Sequence, residues 1–226
     1  MKDFRLDWGK TISNFESKKI IAEKVSRMAL SGQIIGAGSG STSFLTVLAL
    51  GKRVEDEAID ITIVPTSIEI EFACNAMNLK STRQIPNTID WCFDGTDEID
   101  QNMRLIKGRG GAMHKEKLVF QSAKKRYVMA DASKNVKSLG ENFPVPVEVD
   151  FKSIEKTYRL ISEIKHVKQV ALRRAVNKDG PIITENSCGI LDVTMNHINN
   201  ELESKLLTLP GVLATGLFLG FDFERI

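Results

Sequence analysis

The sequence predicts an α/β protein: a Rossmann-like, mostly parallel sheet domain joined to a smaller, ferredoxin-like α+β domain. Three observations predict it. Short apolar strands alternate with helical periods up to about residue 134. Polar residues follow four of those strands directly, at Ser39–Thr42, Thr66–Ser67, Asp94–Asp97 and Asp131–Lys134, as they do along the carboxyl edge of a parallel sheet. After Gly140 the order becomes strand-helix-strand-strand-helix-strand, the split βαβ pattern. The expected domains are therefore 1–134 together with 219–226, and 135–218.

Composition narrows the function classes. At 226 residues the chain can bury one large core or two modest ones. Hydrophobic content of 42% and charged content of 27% are those of an ordinary soluble protein. A formal charge of +2 is too small to make nucleic acid or an acidic membrane the main partner. Cys74, Cys92 and Cys188 show no CxxC spacing and read as buried free thiols in a reducing compartment. MKDFRLDWGK has no apolar segment of signal-peptide type, and no run has the length of a membrane span. The expectation is a soluble cytoplasmic protein.

In chain order, residues 1–12 read as a loose extension. Ser13-Asn14-Phe15-Glu16 has capping-box spacing, and Ile20, Ile21, Val25, Met28 and Ala29 continue a helix that Gly32 ends. Gln33–Ile35 is a strand running into Gly36-Ala37-Gly38-Ser39-Gly40-Ser41-Thr42. An apolar helix follows and is expected to stop at Gly51. Strand, glycine-and-hydroxyl loop and helix together offer an anion free backbone N–H groups at the positive end of a helix dipole. Neither named nucleotide motif fits. Ser41 stands where a dinucleotide fingerprint needs its third glycine, and the loop has no Walker lysine. A terminal phosphate suits the loop best; a tight turn without a ligand is the other reading.

Ile59–Val64 is the next strand, and Ser67 caps a helix reaching about Asn78. Leu79–Ile85 holds a short edge strand. Ile89–Phe93 is a buried strand, so Asp94 falls where the sheet ends. The segment from Ile89 to Lys117 carries most of the chemistry. Asp94 and Asp97 flank Gly95, Lys107 follows ten residues later at the head of Gly108-Arg109-Gly110-Gly111, and Glu116 comes next. Acids, a cation and open backbone amides at a strand end can move protons on a small polar substrate. A charged surface hairpin accounts poorly for so many glycines, since each costs about 0.5–1 kcal/mol of chain entropy when ordered. Arg104–Ile106 is a weak strand, Gly111–Lys125 a helix and Tyr127–Ala130 a strand. In the second domain the strands are Phe143–Val149, Val170–Val176, Gly189–Val193 and Val212–Leu219, with Pro181–Thr184 as an optional extra. Helices cover Ser153–Ile164 and Asn199–Leu207. His114, His166 and His197 are too scattered for a zinc helix, and no metal site is expected.

These residues resemble the ribose-5-phosphate isomerase family of the A type. The matching pieces are Gly38–Thr42, Asp94-Gly95-Thr96-Asp97-Glu98, Lys107–Gly110, Lys115-Glu116-Lys117, Ala130–Lys134, Pro144–Val149, Ala175–Lys178, Pro210–Val212 and Gly216–Phe218. The likeness runs from about Lys18 to Phe218. It implies interconversion of ribose 5-phosphate and ribulose 5-phosphate through a cis-enediolate, in the non-oxidative pentose phosphate pathway. No cofactor is implied, and the enzyme would be a homodimer or homotetramer. By resemblance Glu116 is the proton-transferring base. Asp94, Asp97 and Lys107 are the other catalytic groups, with one or both aspartates opening the sugar ring. Substrate binding falls to Lys18, Ser39, Gly40, Ser41, Thr42, Asp94, Gly95, Thr96, Asp97, Lys107, Gly108, Arg109, Gly110 and Lys134.

Departures from the family pattern are Arg109 for a glycine, Thr96 for an alanine, and Ser187-Cys188 for a Gly-Asn turn. The short C-terminus leaves Phe221–Ile226 to trim or rebuild a last strand. The rival readings are a non-catalytic sugar-phosphate sensor and a coenzyme A transferase-like enzyme. Glu116 and Lys107 together argue against the sensor, and so does the lack of chain for a DNA-binding module. The phosphate loop and Asp-Gly-Thr-Asp argue against the transferase.

Overall fold

The computed structural model describes Trp8 and residues 11–226; the extension expected at residues 1–12 lies almost wholly outside them. Up to Gly95 the chain forms α1 (Phe15–Ser26), β1 (Ile34–Ala37), α2 (Ser41–Glu57), β2 (Thr62–Pro65), α3 (Ile68–Ala76), β3 (Lys80–Ser81) and β4 (Ile89–Gly95). Next come β5 (Glu98–Asp100), β6 (Leu105–Ile106), α4 (Met113–Ser122), β7 (Ala123–Met129) and β8 (Asn135–Val136). The chain ends with β9 (Val145–Val149), α5 (Ile154–Ser162), β10 (Val167–Leu172), β11 (Gly189–Met195), α6 (Leu202–Leu207), β12 (Val212–Thr215), β13 (Leu217–Phe218) and β14 (Glu224–Arg225).

These elements form two units. One takes the described residues up to Gly95, Lys115–Met129 and Asp222–Ile226; the other takes Thr96–His114 and Ala130–Phe221. The expected division, 1–134 with 219–226, differs in where Thr96–His114, Ala130–Lys134 and Leu219–Phe221 fall; the first of these is the largest. The strands of Thr96–His114, β5 and β6, pair with β8 and β13, so hydrogen bonding to later parts of the chain assigns that segment.

The first unit is a six-stranded sheet in the order β14-β7-β4-β1-β2-β3, parallel at every pairing. Parallel strands are buried on both faces and read as nearly unbroken apolar runs, which is why Ile89–Phe93 was legible. Ile35, Phe44, Val47, Leu50, Ile63, Ile70, Trp91 and Phe93 form the core. Ser67 caps α3 as expected, its Oγ accepting from the Ile70 N–H at 3.4 Å.

Three helix expectations fail. The capping box does not form: Asn14 takes the cap position in the left-handed region (φ 53°) with no side-chain cap bond. The helix it begins ends at Ser26, well before Gly32. Gly51 does not stop α2 either, which runs on to Glu57. A Cβ at Gly51 would lie 2.5 Å from Met77 Cβ, so this glycine serves close packing beside α3. Phe221–Ile226 rebuilds a strand: β14 pairs with β7, and the Ile226 N–H donates to Val128 O at 2.9 Å.

In the second unit the order β9-α5-β10-β11-α6-β12 is the expected strand-helix-strand-strand-helix-strand. The four strands form an antiparallel sheet in the order β10-β11-β9-β12, over a core of Val145, Val147, Val149, Ile161, Leu191, Val193 and Leu206. A smaller sheet runs β13-β6-β5-β8. Pro181–Thr184 contributes only a bridge from Pro181 to Arg174.

The turn before β11 holds Ser187 at φ 59°. Left-handed backbone costs an L-residue about 1–2 kcal/mol, against which glycine loses about 0.5–1 kcal/mol of chain entropy. Ser187→Gly is therefore expected to stabilise the fold by about 0.5–1 kcal/mol. A higher urea midpoint at unchanged slope is the measurement that checks it. Cys74, Cys92 and Cys188 are buried and lie outside any disulfide; burial pushes the Cys74 thiol up to about 12 and raises that of Cys188. Among the described residues no helix is long and apolar enough to cross a membrane.

Candidate active site

In the first unit the glycine-and-hydroxyl loop forms at the end of β1. The Gly38 N–H donates to Phe93 O at 2.8 Å, and Ser41 and Thr42 are the first residues of the seventeen-residue α2. Gly40, at φ 96°, makes the turn into that helix. Ser39 Oγ lies 2.8 Å from Thr66 Oγ1, which follows β2. The Lys18 ammonium, on α1, donates to Ser41 Oγ at 3.0 Å. No acidic residue occupies the first turn of α2. Hydroxyls, an ammonium and the positive end of a helix thus share one place, an arrangement suited to a phosphate.

Asp94 borders this loop. It is 2% exposed, its Oδ1 accepts from the Gly95 N–H at 2.7 Å, and a Cβ at Gly38 would fall 2.0 Å from its Cγ. Glu116 lies in the first turn of α4 and is 5% exposed. A Cβ at Gly36 would meet Val119 Cγ1 at 2.3 Å, so α4 crosses β1 there. Glu116 is three residues before Val119, on the same helix face and one turn nearer the start. Because α4 leads into β7, parallel to β4, the helix runs against the strands, and its start faces their carboxyl ends. That brings Glu116 toward the level of Gly38 and Asp94.

The second unit orders the remaining predicted residues. Thr96 Oγ1 lies within hydrogen-bonding distance of Glu98 O (2.7 Å) and Ile106 O (2.9 Å), which turns its side chain into the β5–β6 pair. Asp97 is half-buried, and its Oδ2 accepts from the Arg109 N–H at 3.0 Å. Lys107 is 3% exposed, its N–H donates to Gly216 O at 2.8 Å, and its ammonium lies 5.5 Å from the Phe218 ring centre, within cation–π range. Gly108, at φ 98°, turns the chain, and the Gly111 N–H closes back on Gly108 O at 3.0 Å. The Arg109 guanidinium and the Lys134 ammonium each lie 5.6 Å from the Phe143 ring centre. The extra arginine in the glycine turn is thus held over an aromatic ring. Lys134 ends a single 3₁₀ turn that Asp131 caps.

Three supporting residues were missed by the sequence reading. Thr66 was noted for its place after β2 but not for its bond to Ser39. Glu98, 1% exposed, accepts from the N–H groups of Gly140, Asn142 and Phe143. Arg173 bonds the carbonyls of Gly108 and Arg109 at 2.9 and 3.0 Å. The partners of Glu98 and Arg173 lie 42 to 65 positions away, and no local pattern marks them.

Residues 62–225 match the family described as ribose 5-phosphate isomerase A (phosphoriboisomerase A). Ribose-5-phosphate isomerase A of Methanocaldococcus jannaschii is 35% identical over 213 residues, 93% of each chain. That of Methanococcus vannielii is 40% identical over 214 residues, covering 92% of this chain and 87% of its own. The solved M. jannaschii structure aligns with a TM-score of 0.88 over 93% of both chains. A D-ribose-5-phosphate isomerase in complex with phospho-erythronic acid aligns at 0.87, with 33% identity over 94% of this chain and 93% of the other. With likeness along nearly its whole length, the chain belongs to the ribose 5-phosphate isomerase A family.

Proposed function

We propose that the chain interconverts D-ribose 5-phosphate and D-ribulose 5-phosphate, with Glu116 as the base. The observation that carries this reading is in the first unit: a buried carboxylate at the start of α4, the helix end on the side of the strand edge where Lys18, Ser39, Ser41 and Thr66 gather. Phosphate held by that loop orients the far end of the sugar, so binding energy remote from the reacting carbons lowers the barrier. One or both of Asp94 and Asp97 shuttle the proton between O1 and the ring oxygen, opening the furanose.

Glu116 then removes the proton from C2. The C–H electron pair forms the C1–C2 double bond, and the carbonyl pair moves onto O1. A proton passes from O2 to O1, Glu116 returns its proton to C1, and C2 becomes the carbonyl. One carboxylate serves both carbons because they lie on one face of a cis-enediolate. The Lys107 ammonium and the amides of the glycine turn balance the charge that develops on oxygen. Phospho-erythronic acid, the ligand of one relative, joins a phosphate to an anionic carboxylate and so resembles that intermediate. The same reading has the chain act in the cytoplasm as a homodimer or homotetramer. Family membership supports this, as do apolar side chains left exposed at Val176 and Ile183.

Purified protein given ribose 5-phosphate in deuterium oxide is expected to produce ketose absorbance, with deuterium at C1 of the product to the extent that the proton held by Glu116 exchanges with solvent before its return. Binding of the sugar phosphate without ketose formation would replace the isomerase by a sensor.

A further inference from the structure

Arg173 follows β10 directly, and its backbone is held on both sides. Its N–H donates to Ile190 O at 2.9 Å, and its carbonyl accepts from the Ile182 N–H at 3.1 Å. Its guanidinium meets the Asp192 carboxylate on β11 with two nitrogens, Nε to Oδ2 at 2.8 Å and Nη2 to Oδ1. Side-chain exposures of 16% and 20% leave this two-pronged pair mostly shielded from water. Such a fork fixes the guanidinium plane as well as its place. The remaining nitrogen, Nη1, donates to two successive backbone carbonyls, Gly108 O at 2.9 Å and Arg109 O at 3.0 Å.

Those two bonds orient two peptide planes. In a trans peptide the N–H points opposite to the C=O. With both carbonyls drawn to Arg173, the N–H groups of Arg109 and Gly110 are turned away from it. The first reaches Asp97 Oδ2 at 3.0 Å. The second has no acceptor among the described residues, and a Cβ built at Gly110 would face open space. The segment needs such a clamp. Glycines at 108, 110 and 111 leave its planes free to rotate, and a donor that must be reoriented during reaction stabilises developing charge poorly.

The geometry points to Arg173, locked by Asp192, as the positioning residue that aims the Gly110 N–H, two planes beyond Lys107, as a preorganised donor for the oxyanion of the intermediate. This rests on the proposed role of the Lys107–Gly110 turn in the isomerisation. Arg173 itself touches no reacting atom. It acts through the backbone it holds.

The test uses the full chain with Arg173→Lys, which keeps the charge but loses the fork, and Asp192→Asn, which loosens it. Each is expected to lower kcat by about 10- to 100-fold, the scale of a misplaced reacting or stabilising group. KM for ribose 5-phosphate should move by less than about threefold, since the phosphate loop is untouched. The inhibition constant of phospho-erythronic acid should rise in step with the loss in kcat/KM. That of arabinose 5-phosphate, which has no anionic group at C1, should stay within about threefold.

A merely structural role would weaken both inhibitors alike or neither, and that result would overturn the inference. Should neither variant fold, the unmodified protein decides. Titration with phospho-erythronic acid should move the Gly110 amide resonance downfield, and a resonance that stays put counts against the proposal. An active parent whose Glu116→Gln variant is inactive, beside fully active and folded Arg173→Lys and Asp192→Asn variants, would leave the isomerase reading standing and remove only this one.

Discussion

Replacing Glu116 with glutamine is expected to lower kcat by about 10²–10⁴-fold while KM changes little. The amide keeps the shape and hydrogen-bonding capacity of a side chain that is 5% exposed, so packing around the start of α4 should survive. What disappears is the carboxylate basicity proposed to accept the C2 proton. No other group is assigned that step. The phosphate contacts proposed for Lys18, Ser39 and Ser41 do not involve Glu116, which is why KM should hold. Steady-state kinetics with ribose 5-phosphate, together with a thermal melt of the same sample, separate loss of chemistry from loss of fold. A folded variant turning over at the parent rate would end the assignment of the base.

Gly38→Ala is expected to lower kcat/KM by about 100-fold or more, because a methyl there collides with the Asp94 carboxyl group. An ideal Cβ would sit 2.0 Å from Asp94 Cγ, 2.1 Å from Oδ1 and 2.4 Å from Cβ. Neither side can yield cheaply. Gly38 is tied to Phe93 O at 2.8 Å, and β4, which carries Asp94, is paired with both β1 and β7. Overpacking of this kind typically costs about 1–3 kcal/mol. Here the strain falls on a side chain proposed to open the sugar ring and on the loop proposed to hold phosphate, so KM should rise as kcat falls. The same kinetic assay and melt check both effects. Parent-like kcat/KM would mean that the close approach of loop and carboxylate is immaterial to turnover.

What could be read from the sequence was local. An apolar run such as Ile89–Phe93 followed at once by Asp94 announces both a buried strand and a polar strand end, because burial and the sheet edge act within a few residues. The Gly38–Thr42 loop was legible for the same reason: glycines, hydroxyls and the following helix are contiguous. Tertiary packing overruled local signals elsewhere. Gly51 has the look of a helix stop, yet Met77 occupies the space where its side chain would be. Ser13–Glu16 has the spacing of a cap, yet Asn14 turns left-handed. Arg173 falls inside the expected Val170–Val176 strand with nothing to single it out, and only the pairing of β10 with β11 brings it to Asp192 and the glycine turn. Ser187 by itself gives no hint of φ 59°; only the Gly-Asn turn of the resembled family at this place points to a backbone that favours glycine.

The pairing of β14 with β7 also bears on solubility. Both margins of the six-stranded sheet are two residues long, β3 on one side and β14 on the other. Short margins give other molecules little unpaired backbone to add to. Without β14, the seven-residue β7 (Ala123–Met129) would become the outer strand, and its buried end, Tyr127-Val128-Met129, would be offered to neighbouring chains. The last few residues therefore act as a guard against intermolecular β-assembly.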